Sequence, residues 1–164
     1  MNAPELVRHF GMSPHPEGGF YRETYRSVGS IPAEALPSAF SGARSYSTAI
    51  LFLLRQGDVS RLHRIRQDEL WHFYLGDPLR LVMISPEGRP EEVVLGQDVT
   101  RGQHLQWAVP AGYWFGAAPA PGSAFSLVGC TVAPGFDFAD FELGEREALL
   151  RLFPDARELV ERFG

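Results

Sequence analysis

A single cysteine in 164 residues, Cys130, excludes an internal disulfide framework and suits a reducing compartment. Positive charge is also scarce: 15 Lys and Arg against 20 Asp and Glu leave a formal charge of −5 with His neutral. A nucleic-acid binder would gather basic residues into a patch, so that class is set aside. Long apolar runs are missing too. The longest aliphatic stretch runs from Ala49 to Leu54, far below the ~20 residues that a membrane-crossing helix needs. The first stretch of chain interleaves Glu5, Arg8 and prolines where a secretion signal needs an apolar core. Internal repeats and low-complexity tracts are absent as well. The expectation is one soluble, cytoplasmic domain without a membrane or nucleic-acid partner.

Glycine and proline, by contrast, are plentiful, at 17 and 13. That suits short strands joined by turns better than helices. Apolar runs at Ser47 to Leu54, Leu70 to Leu75, Leu79 to Ile84, Glu92 to Leu95, Gln106 to Val109 and Phe125 to Val132 alternate with turn residues. Strands at this spacing read as a β-sandwich or barrel, here spanning about 20–138. Helical spacing is confined to the ends. Leu6, Val7 and Phe10 place a short helix over Pro4 to Phe10, stopped by Gly11. A helical tail over about 145–163 is expected as two helices, Glu145 to Phe153 and Asp155 to Phe163, separated at Pro154. The segment Ser30 to Arg44, rich in Ala, Ser and Pro, reads as an exposed loop or as a lid over a pocket.

The chemistry concentrates around one spacing: Gly57, His63, Ile65, Glu69 and Gly76. Side chains two apart on a strand share a face, so positions 63 and 65 point inward together. A turn at Arg66-Gln67-Asp68 would bring Glu69 back beside them. The spacing resembles the first cupin motif, and Pro110-Ala111-Gly112 resembles the second. Two of the metal-ligand positions of that motif pair are occupied by Ile65 and Phe115, which carry no donor atoms. His63 and Glu69 alone would hold a metal weakly, and His72 lies on the opposite strand face from Glu69. No cofactor is therefore expected.

The wider resemblance rests on three segments. These are His15-Pro16-Glu17-Gly18-Gly19-Phe20-Tyr21-Arg22-Glu23-Thr24-Tyr25, the run from Leu62 to Pro78, and Gly129 to Phe138. In this order they look like the cupin-five family, a branch of the cupin superfamily without an assigned reaction. The resemblance implies an all-β double-stranded β-helix, or jelly roll, paired into a homodimer. A second similarity concerns Gly19-Phe20-Tyr21-Arg22-Glu23, which resembles the N-terminal strand of dTDP-sugar epimerases of the rhamnose pathway. It implies ligand-binding roles for Tyr21 and Glu23 and a general-base role for His63. Those enzymes carry Lys where this chain has Glu69, so the charge is reversed at that place.

Taken together, these features suggest a small polar metabolite, such as a sugar or nucleotide-sugar, bound inside the barrel. If the site is catalytic, His63 would be the base of an isomerisation or epimerisation, with Glu69 beside it. A phenol, Tyr74 or Tyr113, would return the proton. Trp71, Phe73 and Phe115 would line the pocket with Tyr21 and Glu23. One alternative is a non-catalytic binding or sensory domain in which His63 and Glu69 satisfy each other as a buried polar pair. A second is a metal-dependent cupin enzyme with His63 and Glu69 as its weak metal ligands. Cys130 is expected to be a buried inert thiol. Asp137, Asp140, Glu142 and Glu145 are expected to serve the dipole of the helix that follows.

Overall fold

Along Asp68–Gly76, Glu69, Trp71 and Phe73 are buried while Asp68, Leu70 and Tyr74 are exposed. That alternation is the signature of a strand with one face on a core. The computed structural model describes all 164 residues. In chain order the elements are α1 (Ala3–His9), β1 (Ser13–Pro14), β2 (Phe20–Arg26), β3 (Ser30–Ile31), β4 (Arg44–Ser45) and β5 (Thr48–Arg55). Next come β6 (Ser60–Arg64), β7 (Asp68–Gly76), β8 (Leu79–Ile84), β9 (Pro90–Leu95) and β10 (Gln106–Val109). The chain closes with β11 (Trp114–Pro119), β12 (Phe125–Ala133), β13 (Glu142–Leu143), α2 (Arg146–Leu152) and α3 (Arg157–Phe163).

One sheet has the order β1-β2-β5-β12-β7-β10 and the other β13-β6-β11-β8-β9. Every pairing within them is antiparallel. Neighbours in a sheet are mostly distant in sequence, because the chain alternates between the two layers. This is the expected jelly roll. Phe52, Trp71, Phe115, Leu79 and Leu81 fill the space between the sheets. Register places Trp71 opposite Cys130 and Glu69 opposite Val132, with an irregularity between Leu127 and Val128.

The outer face of the second sheet is covered by the helical tail. Leu149, Val160 and Phe163 pack there on Leu62, Val82, Ile84 and Trp114, each buried side chain contributing roughly 1.5–3 kcal/mol. Pro154 opens a 3-10 turn, Pro154–Ala156, so α3 begins later than Asp155. Proline has no N–H to donate and fixes φ, which shapes this break. At the other end, Asn2 and Glu5 form a reciprocal capping box on α1, and Ala3 and Leu6 pack on Leu53 and Leu127. The segment from Ser30 to Arg44 is mostly exposed and is tied at its ends by the β3–β4 pairing. It lines no part of the barrel cavity, which makes it a loop, not a lid.

Candidate functional site

The barrel holds a cavity of about 500 Å³. Its walls come from β2, β5, β6, β7 and β12, and from the segment after β12. His63 projects into it from β6 and is buried. Its Nδ1–H donates to the Arg61 carbonyl at 2.7 Å, and its Nε2 stands 2.9 Å from Glu17 Oε2. With a carbonyl at one nitrogen and a carboxylate at the other, both nitrogens carry protons. Burial alone would lower the pKa of this imidazole, but the Glu17 charge and hydrogen bond, the Glu69 charge and the Arg61 carbonyl together raise it. The ring rests between Phe115 at 4.1 Å and Phe141 at 5.4 Å, centroid to centroid.

Glu17 is held from several sides. Its Oε1 accepts from the Ser60 hydroxyl at 2.7 Å, and His15 Nδ1 lies 3.5 Å from its Oε2. Burial works to raise its pKa, but the His63 charge and hydrogen bond, with lesser help from His15 and Ser60, bring it below the ordinary carboxylate value. Local backbone explains the position. Gly18 has φ of +117° and faces the Val59 carbonyl where a Cβ would overlap, so only glycine permits this approach. The Arg61 N–H then donates to the Glu17 carbonyl at 2.9 Å, fastening the loop to β6.

Glu69 behaves differently. It lines the same cavity and makes no ion pair, and its one hydrogen-bonding neighbour is the Cys130 thiol. Burial, reinforced by the like charge of Glu17 and opposed by His63 and Cys130, pushes its pKa up to about 7. Trp71, two residues on and facing the same way, has an indole N–H with no partner. His15 sits among Tyr21, Phe52, Phe138 and Phe141, and burial lowers its pKa.

At the rim, Arg26 grips both oxygens of Glu23 at 2.8 Å and the Phe136 carbonyl at 3.0 Å. The chain contains no lysine, and Arg26 is the one arginine of the lining. Every cationic side chain there is therefore already paired.

The structure brings His63, Glu69, Trp71, Tyr21 and Glu23 together as expected from the sequence. Phe115 lies behind His63, and Phe73 is buried in the core away from the cavity surface. Tyr74 is a correction. Strand alternation turns it outward, where it is 45% exposed and its ring lies over Gly129, so it cannot reach a ligand in the barrel. Tyr113 packs at the edge of the core, outside the lining. His72 is on the outer face, bonded to Thr131 Oγ1 at 3.0 Å.

The alternative of a His63–Glu69 pair gives way to His63–Glu17. The reading of His63 as the base is corrected, because its two nitrogens are engaged by the Arg61 carbonyl and the Glu17 carboxylate. Cys130 is buried but sits beside Glu69 on the cavity floor. Asp140 does not serve a helix: it is buried against Arg44 Nε and Nη2 at 2.8 Å each and Gln67 Nε2 at 2.8 Å. Asp137 caps the turn at Ala139 and lines the mouth. Sequence reasoning missed Glu17, His15 and the phenylalanines of 136–141 as site residues. The signal available was His15-x-Glu17 ahead of two glycines, a polar pair at a tight turn.

The residues do not fit a metal. Ile65 and Phe115 offer carbon where donors are needed, His63 Nε2 is spent on Glu17, and no group of three His, Cys, Asp or Glu is arranged to hold an ion.

Comparison with known proteins agrees with this architecture. The chain is 42% identical to a protein from Shewanella oneidensis of solved structure, covering 100% of this chain and 98% of that one, with a TM-score of 0.89. A hypothetical protein from Leishmania major matches at 33% identity over 100% and 99% of the two chains, with a TM-score of 0.90. An uncharacterized protein of Saccharomyces cerevisiae is 29% identical over 87% of this chain and 76% of its own. Oxalate decarboxylase from Bacillus subtilis, at 14% identity and a TM-score of 0.55 over 92% of this chain and 36% of that one, shares the fold alone. Residues 4–144 match the family described as Cupin superfamily (DUF985), and the chain belongs to that family.

Proposed function

We propose that the barrel binds a small polar metabolite and moves a proton on it. The observation that carries this reading is Glu69, a buried carboxyl on an open cavity, free of ion pairs, with a pKa of about 7. A general acid–base works best when its pKa lies near the working pH, and a structural carboxylate would have been given a cation. The His63–Glu17 pair is spent internally. Its role is to set the field at Glu69, one member raising and the other lowering that pKa.

In this reading Glu69 takes a proton from a carbon next to a carbonyl. With a hydroxyl on that carbon, the C–H electron pair becomes a C=C bond as the carbonyl π pair moves to oxygen, giving an enediolate. The hydroxyl proton passes to that oxygen, and the pair it leaves forms the new C=O. The C=C pair takes the proton back from Glu69 at the former carbonyl carbon. One carboxylate suffices for such an isomerisation. Inversion at the same carbon, the epimerase chemistry suggested by the Gly19–Glu23 strand, needs a second donor across the ligand, and Tyr74 is not available for it. Tyr21 and Glu23 at the rim would orient a sugar-like ligand. A paired assembly belongs to the same proposal; sedimentation should then show two chains of 18.2 kDa travelling together.

The test is solvent exchange. In D2O, a panel of hydroxy-aldehydes and ketoses, free and nucleotide-linked, should include a compound that gains deuterium next to its carbonyl. Glu69→Gln should abolish the gain while the circular dichroism spectrum is kept. Exchange that survives Glu69→Gln, or binding with no exchange, refutes the catalytic reading, and the second outcome makes the protein a binding domain.

A further inference from the structure

Resting on that reading of the same cavity, the structure also says what class of ligand fits it. Among the buried side-chain nitrogens, Trp71 Nε1 is the one without a hydrogen-bond partner. Trp71 is 1% exposed and lines the cavity. A buried donor left unpaired is costly, and tryptophan is placed inside proteins where its N–H finds an acceptor. The charges around it are lopsided. Glu17, Glu23, Glu69 and Asp137 face the cavity, while the cations His63 and Arg26 are held by Glu17 and Glu23.

We infer that the ligand is an uncharged carbonyl compound whose oxygen accepts the Trp71 N–H. A phosphate or carboxylate would enter beside Glu69 with no free cation to meet it, and its desolvation would go uncompensated. An ammonium would suit the aromatic mouth but offers Trp71 no acceptor. A hydroxyl accepts too, and Glu69 could take its hydrogen, but it does not acidify a neighbouring C–H. A carbonyl only accepts, and it is the group that acidifies the neighbouring C–H for Glu69. The ligand class therefore excludes nucleotide-sugars, whose diphosphate has no counter-charge here. Trp71 becomes the donor that stabilises the oxygen as charge develops on it.

Four probes sharing one ring separate these possibilities: cyclohexanone, cyclohexanecarboxylate, cyclohexyl phosphate and cyclohexylammonium, titrated at pH 7 into ¹⁵N-labelled protein. The three tryptophans give three indole N–H signals, and Trp71→Phe identifies which belongs to Trp71. Cyclohexanone should move that signal in a saturable way, and both anions should bind at least tenfold more weakly. Loss of the donor in Trp71→Phe should weaken cyclohexanone by about 2- to 12-fold, the worth of one hydrogen bond. The charge series on the unaltered protein stands even if that variant folds poorly. Equal or tighter binding of an anion or of the ammonium overturns the inference and leaves the cavity a binding site. So does cyclohexanone bound with the Trp71 signal unmoved. If no probe moves any cavity signal, this inference and the metabolite-binding reading fall together.

Discussion

Replacing Glu69 by glutamine should make the folded protein more stable, and only above a particular pH. An ordinary glutamate ionises near 4.5 and Glu69 near about 7. Below 4.5 the carboxyl is protonated whether the chain is folded or not, and it adds nothing to the pH dependence. Between these values the unfolded chain releases the proton first, so the folded state binds more protons and its stability falls as pH rises. Above 7 both states are ionised and the penalty is complete. The gap of 7 − 4.5 = 2.5 pH units, at about 1.4 kcal/mol per unit, amounts to about 3 kcal/mol. Glutamine keeps the shape and removes the charge. The variant should match the wild type at pH 4.5 and exceed it by up to about 3 kcal/mol at pH 8, or about 6 to 12 °C in Tm for a chain of this size. Paired urea titrations read by tryptophan fluorescence from pH 4.5 to 8.5 measure the difference, in which most contributions of His63 and Glu17 cancel. A difference that is flat with pH, or a wild type more stable at pH 8, would sink the argument that burial strains this carboxyl.

Three further outcomes are expected. Imidazole signals followed by NMR should show His63 titrating above 6.5 in the wild type and below it in Glu17→Gln, because burial dominates once the counter-charge is gone; the wild-type stability owed to this pair is present between 4.5 and 6.5, and fades as pH climbs through the folded value of His63 or falls through that of Glu17. Asp140→Ala strands the buried Arg44 and should cost about 3–5 kcal/mol in urea denaturation, whereas Glu142→Ala, which breaks the exposed pair with Arg64, should cost less than about 1 kcal/mol. Burial and the neighbouring Glu69 push the Cys130 thiol well up, so Ellman's reagent should label it no faster than the protein unfolds.

Much of this molecule can be read from residue order. Period-two alternation places Glu69, Trp71 and Phe73 inward and His72 outward, and the same rule sends Tyr74 to solvent. Spacing does not show which inward residues reach the cavity surface: Phe73 and Phe115 are both inward and both covered by neighbours. The partner of His63 was hidden for a different reason. Glu17 is 46 positions away, on a loop that meets β6 only because Gly18 lets two backbones touch, and such a long-range contact leaves no periodic trace. Asp140 looked like part of an acidic helix lead-in because Arg44 and Gln67 converge on it only in the folded state.

The mouth of the cavity is pinned in place. Phe136, Phe138 and Phe141 lie on one short segment, fastened by Arg26 at the Phe136 carbonyl, by Thr48 Oγ1 at the Phe136 N–H at 2.9 Å, and by Arg44 and Gln67 at Asp140. A ligand wider than this opening must loosen one of those fastenings to pass. Entry and escape are then governed by how often the segment lifts, so residence time should shorten steeply on warming. Added salt screens exposed charges over about 8–10 Å but hardly reaches a buried ion pair, so it should leave the exchange rate nearly unchanged.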